Sequence, residues 1–233
     1  PTLGDFISKQ FYESEGLGIL HSGRPAQDFA HAIPSYQGKC AAWMDVPLQD
    51  GKEDRRGSSR IRLAEARAIA NEVKRIADSC GPTLSIGVIS FYRAQCDLIL
   101  ESLVDQGLAE EEDGEIRIAR SYRQTESGDE RLRVGTVDAF QGKEFDVVFL
   151  SIVRANDAVV SDQKEGDERE RLLNGKFGHL RLANRMNVAM SRQRKLLVAV
   201  GDKRMAEGPE SEEAVPALAE FLKLCRKEMA NGR

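Results

Sequence analysis

The chain has 233 residues, 41% of them hydrophobic, and its 34 basic and 38 acidic side chains give a net charge of −4. This length allows one large domain or two small ones, with enough apolar residues for a sizeable core. No stretch approaches the roughly 20 apolar residues of a membrane-spanning helix, so no membrane partner is expected. The charge is not the global basic excess of a histone-like protein, so any nucleic-acid contact must come from a local groove.

The cysteines and histidines are scattered and indicate neither a metal site nor a disulfide. They are Cys40, Cys80, Cys96, Cys225, His21, His31 and His179, and no CxxC pair occurs among them. We therefore expect reduced cysteines, no metal ligands and a cytoplasmic location. The first ten residues lack the basic and apolar regions of a signal peptide, and the first residue is not Met. We expect this chain to be a piece of a longer protein.

Apolar β-branched runs alternate with amphipathic stretches, a pattern typical of an α/β fold with a mainly parallel sheet. In chain order we predict a helix over Thr2–Tyr12, a strand over Cys40–Val46, a helix over Arg60–Ser79, a strand over Leu84–Ser90, a helix over Arg93–Gln106, strands over Arg131–Val137 and Asp146–Val153, a helix over Leu182–Ser191, a strand over Lys195–Asp202 and a helix over Glu212–Met229. Such near-continuous apolar strands suit a sheet with helices on both faces.

Two highly charged segments interrupt this alternation, near residues 108–133 and 157–176. Both are predicted as solvated loops or surface insertions. The second is also a candidate for a mobile functional segment, because it lies between the two most specific motifs. With no repeat and no long low-complexity tract, one domain over residues 1–233 is the simplest prediction.

The most specific segment is VGTVDAFQGKEFDVVFLSIVRAN, residues 134–156, which predicts a strand, a tight polar turn and a second strand. The polar residues of this turn are Thr136, Asp138, Gln141, Gly142, Lys143 and Glu144. We expect them at the carboxyl end of a strand, where open α/β sheets bind ligands. Gly142 would let the backbone approach a phosphate closely, and Gln141 and Glu144 can orient water or accept a hydroxyl hydrogen bond. An ordinary polar turn is the alternative.

A second segment, NRMNVAMSRQRKLLVAVGD, residues 184–202, predicts a helix that runs directly into a buried strand. This helix would place Ser191, Arg192 and Arg194 at its C-terminal end. A guanidinium group can hold phosphate oxygens in a fixed planar geometry. Alternatively these cations only complement the helix C-terminus, which accounts for Arg194 and Lys195 better than for Arg192.

Together these segments resemble a known pair. TVDAFQGKE resembles motif V and NVAMSRQR resembles motif VI of superfamily 1 helicases, in the branch that contains the nonsense-mediated-decay RNA helicase and the replication helicase-nuclease. That branch usually reads TVDxFQGxE and NVAxTRA, so Ser191 replaces Thr and Gln193 replaces Ala. IGVISFYRAQ, residues 86–95, is similar to motif IV, with Phe91 where Pro is more frequent. PTLGDFISKQFYE resembles the segment directly after the family's Gln-Tyr-Arg-Met-His motif, so the resemblance runs from residue 1 to about residue 229.

The resemblance implies a RecA-like second motor domain, which completes an ATP site together with an N-terminal RecA-like domain of the same polypeptide. The sequence contains no GxxxxGKS or GxxxxGKT loop, so this chain has no phosphate cradle of its own. By the resemblance, Arg192 is the arginine finger on the γ-phosphate and Gln141 couples the nucleotide to the nucleic-acid groove. Glu144 accepts from the ribose hydroxyl, Gly142 offers its backbone amide, and Lys143 belongs to the same nucleotide-binding turn. The implied cofactor is ATP with Mg²⁺, the metal being held mainly by the first domain.

Single-stranded DNA or RNA is the other implied partner, bound through Ser90, Tyr92, Thr136 and Val137 by hydroxyls and backbone amides. Packing is an equal alternative for Tyr92, and bracing of the sheet is the alternative for Arg154 and Asn156, which carry no assigned role.

The resemblance thus implies an ATP-dependent helicase or translocase of 5′ to 3′ polarity, inactive as this chain alone. A motor that remodels protein–nucleic-acid complexes without unwinding is one alternative. A degenerate RecA-like module that binds nucleic acid or protein is another. A metal-dependent nuclease is disfavoured because no cluster of acids is evident.

Overall fold

The computed structural model describes residues 2–13, 16, 18–19, 25–161 and 163–231. Pro1 and His21, which entered the sequence predictions, lie outside these residues. Among the residues described, no helix has both the length and the apolar content needed to cross a membrane.

The secondary-structure elements alternate along the chain. In order they are α1 (Thr2–Ser8) with a following π-helical turn (Lys9–Glu13), β1 (Ala41–Asp45), β2 (Asp54–Arg56), β3 (Ser59–Ile61), α2 (Leu63–Cys80), β4 (Ile86–Ser90), α3 (Arg93–Asp105), β5 (Ala109–Glu112), β6 (Glu115–Ile118), β7 (Leu132–Thr136), β8 (Phe145–Ser151), α4 (Gly166–Phe177), α5 (Ala183–Met190), β9 (Gln193–Gly201), α6 (Pro209–Ala214) and α7 (Pro216–Asn231). Two 3-10 turns matter for the site, Val137–Phe140 and Gly178–Arg181.

Five strands form one parallel sheet in the order β1-β9-β8-β4-β7. Alternate residues of its strands point into two separate apolar clusters, since successive side chains of a strand lie on opposite faces. Val147 and Phe149 pack with α2 and α3, whereas Val148 and Leu150 pack with α5 and α7. The predicted α/β RecA-like sheet with helices on both faces is therefore confirmed.

All five predicted sheet strands are present, with ends shifted by at most two residues. The helix predicted from Arg60 instead begins at Leu63, because Arg60 and Ile61 pair with β2 in a hairpin. The last predicted helix is two helices. Val215 adopts φ −140°, and Pro216, which has no backbone N–H to continue a helix, starts α7.

The two charged segments, predicted as solvated loops or surface insertions, are not plain loops, because each contains regular secondary structure. The first contains the β5–β6 hairpin and the second contains α4. Helix α4 has only two buried residues, Leu173 and Phe177, so its apolar stripe is too narrow to reveal helical periodicity. The hairpin had a recognisable signal in the sequence, the dipeptide Asp113-Gly114, which favours a two-residue type I′ turn. Both residues adopt the positive φ that this turn requires.

Candidate nucleotide and nucleic-acid sites

The parallel sheet places the predicted site residues at two opposite edges. Ser90 pairs with Thr136 at the carboxyl ends of β4 and β7. At the other edge Phe145 pairs with Gln193, where β8 and β9 begin. Parallel strands all begin at the same edge, so residues just before β8 and β9 lie far from residues just after β4 and β7.

The polar turn of the first motif therefore spans both edges. Thr136 ends β7 at the carboxyl edge, and the 3-10 turn Val137–Phe140 then carries the chain back towards the start of β8. The prediction that the whole turn lies at a strand's carboxyl end is wrong for Gln141–Glu144, which immediately precede β8. Two parallel strands cannot be joined without such a return across the sheet.

At the amino edge, Glu144 and Arg192 are neighbours. The Phe145 backbone N–H donates to the Arg192 carbonyl oxygen over 2.9 Å, so the residues before β8 and β9 adjoin. Gln141, Gly142, Lys143 and Glu144 are all exposed. Gly142 adopts φ +74°, which explains the glycine at this position, since residues with a Cβ rarely take that conformation.

Neighbouring cations at this edge are paired with carboxylates. Lys143 Nζ lies 2.8 Å from Glu130, Arg194 Nε lies 3.6 Å from Glu144, and Lys195 Nζ lies 3.2 Å from Asp146. These pairs are local and partly exposed, so each contributes little to stability. Their effect is to neutralise the surrounding charge.

Arg192 differs from those neighbours. Its Nε donates to the Val188 carbonyl over 3.0 Å and its Nη2 donates to Ser191 Oγ over 2.8 Å. Ser191 Oγ in turn donates to the same Val188 carbonyl over 3.1 Å. Among the described residues no carboxylate pairs with Arg192, so neutral acceptors orient its guanidinium while its charge stays uncompensated. Ser191 stands where Thr is more usual and keeps the hydroxyl, which helps to orient the Arg192 guanidinium.

At the carboxyl edge an open cleft of about 330 Å³ gathers the predicted nucleic-acid contacts. Its lining consists of Ser58, Ser59, Phe91, Tyr92, Arg93, Thr136, Val137, Asp138, His179 and Arg185. Three of the four predicted nucleic-acid residues are among them. The fourth, Ser90, is fully buried, and its hydroxyl accepts the Tyr92 backbone N–H over 3.2 Å. Ser90 thus shapes the turn that ends β4.

Burial also limits what two of the cleft residues expose. The side chain of Val137 is buried, so a polymer in the cleft meets mainly its backbone. Tyr92 is 5% exposed and its ring stacks on His179 at 4.8 Å between centroids. Its side chain therefore packs, as in the alternative role stated for it. Thr136 is only partly buried, so its hydroxyl is the more accessible group.

Arg154 and Asn156 brace the structure. The buried Arg154 guanidinium lies 2.8 Å from Glu53 and donates to the Gly175 carbonyl of α4. Asn156 Nδ2 donates to Glu53 over 3.1 Å and to the Lys176 carbonyl over 3.0 Å. These bonds fasten α4 to the segment before β2.

Sequence reasoning missed His179, Arg185, Arg93 and the two serines of the β2–β3 hairpin. Their presence in the cleft follows from tertiary packing, since Ser59 Oγ accepts the Ala94 N–H over 3.3 Å from 35 residues away. Arg185 pairs with Asp138 over 2.9 Å across 47 residues. Of these residues, only Arg93 and Arg185 lie inside segments that the sequence had singled out, residues 86–95 and 184–202.

Among the described residues, no group of three or more His, Cys, Asp or Glu side chains could hold a metal ion. The four cysteines are free, and burial raises the pKa of the Cys96 thiol to about 12.

A parallel sheet in this order, with one motif before β8 and the other before β9, defines a RecA-like domain. A family model described as an AAA domain matches residues 1–204. The chain belongs to that family and is the C-terminal RecA-like domain of a superfamily 1 helicase.

The chain is similar to several curated helicases. It is 28% identical over 206 residues to a regulator of nonsense transcripts 1 homolog of Neurospora crassa, covering 88% of this chain and 16% of the relative. It is 29% identical over 189 residues to the putative helicase MOV-10 of Gallus gallus, covering 77% and 17%. Helicase sen1 of Schizosaccharomyces pombe is 26% identical over 208 residues, covering 87% and 10%. The chain thus spans less than a fifth of the length of these relatives.

A crystal structure of the C-terminal domain of a possible DNA helicase from a Lactobacillus species aligns with a TM-score of 0.39 at 18% identity. The alignment covers 85% of this chain and 95% of that chain.

Proposed function

We propose that this chain is the second motor domain of an ATP-dependent superfamily 1 helicase or translocase. It would complete an ATP site formed with an N-terminal RecA-like domain of the same polypeptide, and would grip single-stranded DNA or RNA. The chain alone would not hydrolyse ATP, because the phosphate-binding loop and the main Mg²⁺ ligands would belong to the first domain.

The observation that carries this proposal is the uncompensated charge of Arg192. Lys143, Arg194 and Lys195 nearby each have a carboxylate partner, whereas Arg192 is held by a carbonyl and a hydroxyl. A guanidinium fixed by neutral groups is suited to stabilise negative charge that develops on a phosphoryl group. Arg192 is therefore assigned as the arginine finger.

The exposed turn beside Arg192 fits the rest of a nucleotide. Glu144 is exposed and pairs only loosely with Arg194, at 3.6 Å, so its carboxylate can still accept from a ribose hydroxyl. A Cβ added at Gly142 would meet no atom within 4 Å, so open space lies over that peptide. Lys143 would exchange Glu130 for a phosphate, and Gln141 would link this turn to Val137–Phe140. ATP with Mg²⁺ would supply the phosphoryl group that is transferred.

For nucleic acid, the cleft at the carboxyl edge offers Thr136, the Val137 backbone and the guanidinium groups of Arg93 and Arg185. These groups recognise phosphates and not base identity, so binding is expected to tolerate any sequence. Because the protein's net charge is −4, its overall charge does not attract nucleic acid, so binding would depend on these local groups.

The test is ATP hydrolysis by the full-length protein that contains this chain, with and without single-stranded DNA or RNA. Arg192→Ala should lower the stimulated rate by roughly 10³- to 10⁵-fold while nucleotide and nucleic acid still bind. Arg117→Ala is the matched control, since that exposed arginine pairs with Glu115 on the β5–β6 hairpin. It should hydrolyse ATP at the parent rate.

An Arg192→Ala rate equal to that of the Arg117→Ala control would reject the finger assignment. If the parent itself shows no hydrolysis with either polymer but still binds one, the degenerate binding module becomes the better account.

A further inference from the structure

His179 places an exposed aromatic ring in the cleft at the carboxyl edge. One face of this ring lies parallel to the buried Tyr92 ring, with a centroid separation of 4.8 Å and an interplanar angle of 5°. The residue is nevertheless exposed and lines the cleft. A ring that is stacked on one face and belongs to an exposed residue of the cleft is suited to be a stacking platform.

The ring is also fixed in orientation before any ligand arrives. The His179 backbone N–H donates to the Tyr92 hydroxyl over 3.2 Å, and His179 Nδ1 lies 3.3 Å from the Phe91 carbonyl oxygen. Tyr92 itself is buried, so it cannot turn away with the histidine. A pre-oriented ring loses little conformational entropy on binding, which favours stacking.

Phosphate-binding groups flank this platform in the same cleft. Arg93 is highly exposed, and Arg185 is exposed over 41% of its side chain. Their partners, Asp97 at 3.3 Å and Asp138 at 2.9 Å, are exposed carboxylates that compete weakly with a polymer phosphate.

We propose that the Tyr92–His179 pair is a base-stacking platform, with His179 stacking on one base of a bound single strand between phosphates held by Arg93 and Arg185. This deepens the proposed function, because it assumes that the carboxyl-edge cleft is where the strand binds. Stacking on an aromatic ring accepts every base, as required of a sequence-tolerant motor.

The test uses the full-length protein and 12-nucleotide oligo-uridine and oligo-deoxythymidine strands carrying one 2-aminopurine at successive positions. In the parent, fluorescence should be quenched at one position when the strand binds. His179→Ala should abolish that quenching and weaken binding by roughly 5- to 150-fold. His179→Phe keeps a flat ring and should retain both the quenching and the affinity.

An abasic strand separates stacking from a structural effect. Removing the base at the quenched position should weaken binding to the parent but not weaken it further in His179→Ala. Equal losses in both proteins, or an unchanged quenching profile in His179→Ala, would overturn the proposal.

The ATPase test remains independent of this one. If Arg192→Ala loses hydrolysis while His179→Ala binds and quenches like the parent, the stacking role of His179 is rejected and the motor-domain proposal is supported. If the stacking is observed but the parent hydrolyses no ATP, the motor-domain proposal is rejected and the cleft is supported as a nucleic-acid binding site.

Discussion

At the residue scale, a buried carboxylate controls the chain where β8 ends. Glu65 is fully buried and accepts from Ser151 Oγ over 2.6 Å and from the Val153 N–H over 2.9 Å. Arg62 Nη1, also buried, lies 3.4 Å away. Val153 has φ +67°, a conformation that β-branched residues rarely adopt. Glu65 therefore holds a strained residue directly before Arg154, which braces α4.

Removing this carboxylate should destabilise the sheet locally. Glu65→Ala would leave the Arg62 charge buried without its partner and the Val153 N–H without an acceptor. Above about pH 7, where Glu65 is charged, losing one member of this buried ion pair should cost about 3–5 kcal/mol. Hydrogen exchange of α2 and β8 amides in the full-length protein should report that loss, with Glu72→Ala, on the partly exposed side of α2, as the comparison. A loss no larger than that of Glu72→Ala would contradict the role given to Glu65.

The same residue predicts a pH dependence. Burial raises the pKa of Glu65 from its ordinary value to about 7, although hydrogen bonds from Ser151 and the Arg62 charge oppose the shift. A raised pKa in the folded state means that its contribution to stability is present below about pH 4.5 and is lost as pH rises through about 7. The opening free energy of α2, corrected for intrinsic exchange rates, should fall over that window. Glu65→Gln should not show this fall, and an unchanged pH profile in that variant would exclude Glu65 as its source.

Local motifs indicated some residues of the candidate sites and could not indicate others. Gln141–Glu144 and Arg192 lie in contiguous segments whose composition indicates phosphate chemistry, and the structure brings them together at one edge. His179 acquires its orientation from Tyr92, 87 residues away, and Glu65 its partners from Ser151, 86 residues away. No local pattern records such contacts, so only the fold reveals them.

At the element scale, the buried strands were predictable and the polar helix α4 was not. Strands covered on both faces are continuous apolar runs, as β4 and β8 show. Helix α4 buries only Leu173 and Phe177 and is also held by polar bonds, such as the one from Arg154 to the Gly175 carbonyl, so it shows little hydrophobic periodicity. The turn Gly178–Arg181, which carries His179, follows α4 directly. A functional role for residues 157–176 themselves stays a prediction.

The junction between α4 and that turn depends on Gly178. This residue has φ +55°, and a Cβ there would collide with the Arg154 guanidinium and lie 2.6 Å from the Tyr92 hydroxyl. Gly178→Ala should therefore cost at least about 1 kcal/mol and displace His179. Faster hydrogen exchange in α4 and weaker oligo-uridine binding would measure both effects.

Gly175→Ala supplies the matched control within the same helix. A Cβ at Gly175 meets no atom within 4 Å, and alanine favours a helix by roughly 0.5–1 kcal/mol over glycine. That variant should exchange at the parent rate or more slowly and bind normally. If Gly178→Ala also leaves hydrogen exchange in α4 and oligo-uridine binding unchanged, the close approach of the Gly178 backbone to Tyr92 does not determine the position of His179.

At the scale of the whole molecule, the two proposed sites are separated by the length of the sheet. Strand β8, with seven residues, spans roughly 20 Å at about 3.3 Å per residue. The 3-10 turn Val137–Phe140 runs between them, from Thr136 at the cleft to Gln141 at the amino edge of the sheet. Phe140 is fully buried and packs 5.4 Å from the Phe145 ring. One packed segment thus reaches both proposed sites.

This continuity predicts coupling between the two ligands in the full-length protein. A non-hydrolysable ATP analogue should change oligo-uridine affinity by roughly 5- to 150-fold, and the oligonucleotide must change analogue affinity by the same factor. Phe140→Leu loosens the shared segment without touching either ligand, so it should reduce that factor by roughly 2- to 30-fold while leaving each separate affinity nearly unchanged. Phe221→Leu is the control, because Phe221 is equally buried but packs against Phe6 away from this turn. A coupling factor that is equal in both variants would show that the signal crosses the domain by another route.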